Sequence, residues 1–209
     1  MKLRVVVSVL AVLMIAGAAS ANLLVNGSFE EGTGQGGHLD AAAITGWTWW
    51  GGGWWANDAG AVEDGDWAVK RWESGTGMYQ DFTATANTAY DISLFGYDGS
   101  AEPLVDRYLN LSVEWFDAGN NGLGSSLIGT LSPGGPLDTW TELSGQSVAP
   151  DNTSYGRIVI VTGGGGSAAG SLYFDSASVT QAIPEPAALT LLGLGFLGLN
   201  YLRRKTRRS

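Results

Sequence analysis

Through the middle of the chain, apolar and polar residues alternate in short runs separated by Gly, Asn, Asp and Pro. Alternation with a period of two fits half-buried β-strands, whose successive side chains point to opposite faces. Nine segments read this way: "NLLVNGSFE", "GDWAVKRW", "GMYQDFTA", "AYDISLFGYD", "LNLSVEWFD", "SSLIGTL", "WTELSGQSVA", "YGRIVIVTG" and "GSLYFDSASVT". Helix-period amphipathicity is hard to find between them. The spacing predicts an all-β fold, a β-sandwich or jelly roll. "AGNNGLG" at 118–124 predicts a turn, because Asn and Gly tolerate positive φ, and "GGGGSAAG" at 163–170 predicts a flexible surface loop.

Both ends break the pattern. At the start, Lys2 and Arg4 precede an apolar run from Val5 to Ala16, and "ASA" at Ala19–Ala21 supplies the small residues that signal peptidase requires. Residues 1–21 are therefore expected to be a cleaved signal peptide, and the mature chain to begin at Asn22. At the other end, Ala187 to Leu202 is a run of 16 uncharged residues. As a helix it would span ~24 Å, a little short of the ~30 Å hydrocarbon core, a gap that thinning or flanking residues can cover. Five basic residues follow, Arg203, Arg204, Lys205, Arg207 and Arg208. The positive-inside rule then predicts one span, with the domain outside and the tail in the cytoplasm.

Pro184-Glu185-Pro186 stands just before that span. The order Pro-Glu-Pro, apolar span, arginine cluster resembles the PEP-CTERM sorting signal of exopolysaccharide-producing Gram-negative bacteria, over residues 182–209. The resemblance implies a membrane-embedded exosortase-type processing enzyme as partner. It also implies transient inner-membrane anchoring through the C-terminal helix, then delivery to the cell surface or extracellular matrix. Physically, two prolines deny the segment a helix and present an extended strand that a protease can grip.

Charge narrows the partners further. Residues 22–183 carry 19 acids against 4 bases, a net of −15. Such a surface repels phosphate backbones, so no nucleic-acid partner is expected. The absence of cysteine removes disulfides, thiolate metal sites and a cysteine nucleophile.

The stretches "NLLVNGSFEEG", "FDAGNNGLG", "W…VAP…Y.RIVIV" and "GSLYFDSASV", in that order, resemble jelly-roll carbohydrate-binding modules and their galactose-binding-like relatives over most of 22–181. The resemblance implies that the first and last strands meet, bringing Phe29 and Glu30 near Phe174 and Asp175. It further implies a structural calcium ion there, with Glu30 and Asp175 as carboxylate ligands; oxygen-only ligation suits that hard ion. The bland alternative is that both are solvated strand-end acids. Asp117–Gly122 lacks a closing carboxylate and is expected to be a hairpin.

Tryptophan is the strongest internal signal. "GWTWWGGGWW" contains Trp47, Trp49, Trp50, Trp54 and Trp55. The triple glycine is a poor strand interior and predicts a loop or hairpin joining two aromatic pairs. One reading is a sugar-binding platform, with Asp58, Glu63, Asp64 and Asp66 nearby to bind hydroxyls. The other is that alternate tryptophans fill the core. Trp67, Trp72, Trp115 and Trp140 are expected in the core.

Catalytic machinery is sparse. His38 is the sole histidine, in the Gly-rich "GQGGHLD", and there is no G-x-S-x-G, H-E-x-x-H or phosphate loop. The sequence thus predicts no enzyme, but an exported jelly roll that binds polysaccharide. A self-associating biofilm or floc matrix protein is the alternative. A glycoside hydrolase using Glu63 and Asp66 is the third reading.

Overall fold

The computed structural model describes residues 21–39, 43–58, 61–165 and 170–182. Residues 1–20 of the expected signal peptide, Pro184-Glu185-Pro186, the 187–202 span and Arg203 and Arg204 lie outside these residues. Among the described residues no helix is long and apolar enough to cross a membrane.

Eight of the nine alternating segments become strands. In chain order the strands are β1 (Gly32–Thr33), β2 (Ala43–Ile44), β3 (Thr48–Trp50), β4 (Trp54–Ala56), β5 (Ala68–Arg71), β6 (Thr76–Thr83), β7 (Ala89–Asp98), β8 (Arg107–Phe116), β9 (Gly122–Leu131), β10 (Trp140–Val148), β11 (Tyr155–Gly164) and β12 (Leu172–Gln181). β1 and β2 form a small ribbon, and the rest form two five-stranded sheets, β10-β7-β12-β5-β4 and β3-β6-β11-β8-β9. Every pairing is antiparallel. This is the expected all-β sandwich. Its core lies between the inner faces: Trp55, Val69, Leu94 and Phe174 from one sheet, Met78, Ile160, Leu111 and Trp115 from the other. Burying each such side chain stabilises the fold by roughly 1.5–3 kcal/mol.

"NLLVNGSFE" is the exception, a turn rather than a strand. Asn26 and Phe29 take positive φ (53° and 56°), which ends any extended run. The Asn26 side chain also accepts from the Glu31 N–H and donates to the carbonyls of Glu31 and Thr45. The segment still docks on the last strand: Leu23 N–H donates to Val179 O and Ala177 N–H to Gly27 O, both at 2.8 Å.

The triple glycine is also not a hairpin. β3 and β4 belong to different sheets, so Gly51–Gly53 carries the chain across the edge of the sandwich. Gly51 has φ 74°, and a Cβ there would lie 2.2 Å from Thr76 Cγ2. The buried Arg71 guanidinium clips the crossover, donating to the carbonyls of Trp50, Gly52 and Gly77 at 3.3, 2.7 and 3.0 Å. Burial lowers its pKa to about 10, which leaves it charged at neutral pH.

Candidate functional site

Strand register aligns one line of side chains across a whole sheet. Trp54 stands opposite Lys70, Lys70 opposite Tyr173, Tyr173 opposite Tyr97, and Tyr97 opposite Trp140. Directly opposed residues share a face. Their neighbours Trp55, Val69 and Phe174 fill the core, so this row lies on the outer face. At ~4.8 Å between strands it runs for about 19 Å.

Ring contacts run along one end of the row, and Trp72, two residues on from Lys70, packs against Trp54 at the other. Ring centroids are 6.3 Å apart for Trp54 and Trp72, 5.9 Å for Tyr173 and Tyr97, and 5.2 Å for Tyr97 and Trp140. Lys70 Nζ sits 5.2 Å from the Tyr173 ring centre and 3.0 Å from Glu102. Its pKa is pulled down by burial but raised overall by Tyr173 and Glu102, so it stays a cation. Glu102 is held below the usual carboxylate range by the Ser171 hydroxyl, which donates at 2.5 Å, and by Lys70. Tyr173 donates to Asp58 at 2.5 Å; burial first, then Asp58, pushes the phenol up to about 12, so it remains a donor.

Two cavities open over this row. One, of about 740 Å³, is lined by Trp54, Trp72, Asp58, Lys70, Glu102 and Val105 among others. The second, of about 470 Å³, shares Asp58, Lys70, Glu102 and Ser171 with it and continues to Tyr97 and Asp138. Together they form one groove with an aromatic floor and polar walls, the arrangement that binds a flat molecule with an apolar face and hydroxyl edges.

The five expected platform tryptophans are not brought together. Trp47 and Trp55 are core residues, 5% and 0% exposed, and their indole N–H groups donate to the carbonyls of Asn26 and Phe29. Trp49 packs against the core. Trp50 and Trp54 are each 39% exposed but lie on different sheets. The physical reason is the crossover at Gly51–Gly53, which parts the two pairs instead of folding them onto each other. Of that set only Trp54 lines the groove.

Asp58 lines it as well. Asp66, Glu63 and Asp64 do not; they stand on the loop before β5. Trp72 and Trp140, expected in the core, are half-buried on the outer face; Trp72 lines the groove, and Trp140 packs beside Tyr97 beyond its lining. Alternation itself placed them there: Arg71 and Val69 point inward, so Lys70 and Trp72 point out. His38, from the Gly-rich "GQGGHLD", bridges Trp54 in an antiparallel pair, its ring 4.5 Å from Trp54 and 6.1 Å from Trp72.

Glu30 and Asp175 converge on the loop that carries Glu63 to Trp67. Asp175, fully buried, accepts from the N–H groups of Glu63, Asp64 and Ser176 at 3.0, 3.3 and 2.7 Å. Glu30 accepts from Asp66 and Trp67. Burial, with a smaller contribution from the charge of Glu30, raises the Asp175 carboxyl to about 7. Among the described residues no group of three or more His, Asp or Glu side chains is arranged to hold a metal. The loop presents backbone N–H groups to both carboxylates, so the shared feature is two hard oxygen donors close to one turn, the donor type that a hard cation takes.

Residues 182–208 match the PEP-CTERM protein-sorting motif. Compared with curated proteins by sequence, the chain has no match. Among solved structures it resembles the CBM22-1 xylan-binding domain of Paenibacillus barcinonensis Xyn10C, at 19% identity and TM-score 0.52, over 81% of this chain and 100% of that one. It resembles TmCBM61 in complex with β-1,4-galactotriose at 17% identity and TM-score 0.50, over 78% and 100%. It also resembles a Stig cyclase, Fisc, from Fischerella sp. TAU, at 12% identity and TM-score 0.53, over 80% and 100%. Two longer chains are matched over only 26% and 21% of their own length. At such identities these likenesses establish the jelly-roll sandwich and nothing finer.

Proposed function

We propose that this is an exported, non-catalytic polysaccharide-binding protein. The observation that carries the reading is the row Trp54–Lys70–Tyr173–Tyr97 beneath two adjoining cavities, with Trp140 extending the row beyond them. Aromatic rings stack on the C–H faces of sugars, while Asp58, Glu102, Ser171 and Asp138 address hydroxyls along the rim. The length of the row suits a stretch within a chain better than a single sugar. Lys70 and Glu102 pair with each other and leave Asp58 and Asp138 as the remaining charges, so the groove disfavours an acidic glycan and suits a neutral one. The reading is supported by resemblance to modules solved with or named for xylan and galactotriose.

Glu30 and Asp175 would hold a structural calcium ion, pinning the Glu63–Trp67 loop. The sorting motif makes an exosortase-type enzyme the processing partner, with the cell surface or surrounding matrix of a Gram-negative bacterium as destination. The acids once considered for glycoside cleavage serve elsewhere: Glu63 accepts from the Ser176 hydroxyl at 2.6 Å, outside the groove.

The test is affinity electrophoresis of the full-length protein in gels containing xylan, β-1,4-galactan or other neutral polysaccharides. Retardation by at least one polysaccharide, lost in Trp54→Ala and Tyr97→Ala, is the expected result. Unretarded wild-type protein across the panel would sink the reading and favour a matrix protein acting by self-association.

A further inference from the structure

The opposite sheet carries a second line of planar groups that the groove does not use. Trp50 on β3, Tyr79 on β6, Arg157 on β11 and Phe116 on β8 follow one another diagonally, each one strand over and two residues along in register. Tyr155 stands directly opposite Phe116 and closes the line. The contacts are continuous. Trp50 and Tyr79 ring centroids lie 6.4 Å apart, the Arg157 guanidinium is 4.1 Å from the Tyr79 ring centre and 5.1 Å from that of Phe116, and Phe116 and Tyr155 stack at 4.9 Å with 7° between their planes.

The line is built rather than incidental. The Trp50 indole N–H donates to Gly75 O at 2.9 Å, which fixes the ring, and the ring lies over Gly77, where a Cβ would come within 2.5 Å of it. Trp50 thus rests on the sheet with 39% of its surface exposed. At the other end Asp81, Asn120, Phe116, Tyr155 and Arg157 line an open depression of about 540 Å³.

We propose that this diagonal is a second glycan-binding surface for a neutral polysaccharide strand. Asp81 takes both Arg157 Nε and Nη2, at 2.6 and 3.0 Å, so the cation is already neutralised. No free positive charge is left there for a phosphate or a uronate, in a domain whose net charge of −15 repels both. What the surface offers is flat apolar faces edged by the Asp81 carboxylate, the Asn120 amide and the Tyr155 hydroxyl, the pattern that suits a ring with a C–H face and hydroxyl edges. Taken with the groove reading, on which this consequence rests, one domain holds strands on two opposite faces and cross-links them.

The test is calorimetric titration of the full-length protein with xylohexaose and with β-1,4-galactotriose, alongside affinity electrophoresis in the parent polysaccharides. Wild type is compared with the groove variant Trp54→Ala and with the double variant Trp50→Ala/Tyr155→Ala. Far-ultraviolet circular dichroism and Trp50→Phe/Tyr155→Phe control for folding and for the stacking surface. The expected result is two binding events per chain, one lost in each variant, with about tenfold weaker retardation in the double variant and near-normal retardation in the Phe pair. A single event lost only with Trp54 overturns the diagonal and leaves the groove standing. A single event lost only in the double variant supports the diagonal and removes the groove. No binding by wild type overturns both.

Discussion

Trp54 and Trp55 are adjacent in the chain and face opposite ways: Trp54 is 39% exposed on the groove floor, whereas Trp55 is fully buried with its N–H bonded to Phe29 O at 2.8 Å. Trp55→Ala should therefore cost about 3–5 kcal/mol of stability. Trp54→Ala should leave the melting temperature within a few degrees of wild type yet remove polysaccharide-dependent quenching. Thermal melts and fluorescence titrations on both variants check this. Equal stability losses would mean that the strand register is misassigned.

Calcium should raise the melting temperature of the metal-stripped protein, since binding only the folded state stabilises it by mass action. The rise should vanish in Glu30→Gln and in Asp175→Asn, read by differential scanning calorimetry with and without chelator. An undiminished rise in both variants would place the ion elsewhere.

Protonation supplies an independent check on Asp175. Its carboxyl titrates near 7 when folded against an ordinary 3.8, so the folded state binds the extra proton between those values. Stability is thus greatest at the acid end of that window and falls as pH rises toward neutrality, by up to about 1.4 kcal/mol per pH unit from this group. Urea melts in chelator at a series of pH values should show this slope, with Asp175→Asn flattening it.

At the crossover, Gly51→Ala meets both positive φ and the Thr76 side chain, so a loss of roughly 2–4 kcal/mol is expected. Gly75 has φ 73° but open space around it, so Gly75→Ala should cost only about 1–2 kcal/mol. Denaturant midpoints for the two variants separate steric from backbone strain.

Processing should depend on the tail. Pro184→Ala/Pro186→Ala is expected to leave the full-mass protein in the inner-membrane fraction of a host with the sorting system, whereas wild type is shortened. Immunoblots of fractionated cells read this directly; normal shortening would detach sorting from the Pro-Glu-Pro segment.

Local chemistry made part of this protein legible in its sequence. Period-two alternation located eight strands from β5 to β12, because a half-buried strand must show one apolar face whatever its partners are. The sorting tail was equally plain, since proline, hydrocarbon length and clustered charge act locally. Tertiary structure alone decided which tryptophan does what. "GWTWWGGGWW" does not say whether its glycines turn the chain back or carry it to another sheet, and the answer depends on where Thr76 and Arg71 lie. Nor does any segment reveal that Trp54, Tyr173, Tyr97 and Trp140 share one row. That row exists only through the register of long-range pairings, and a slip of one residue in any of them would turn its aromatic into the core.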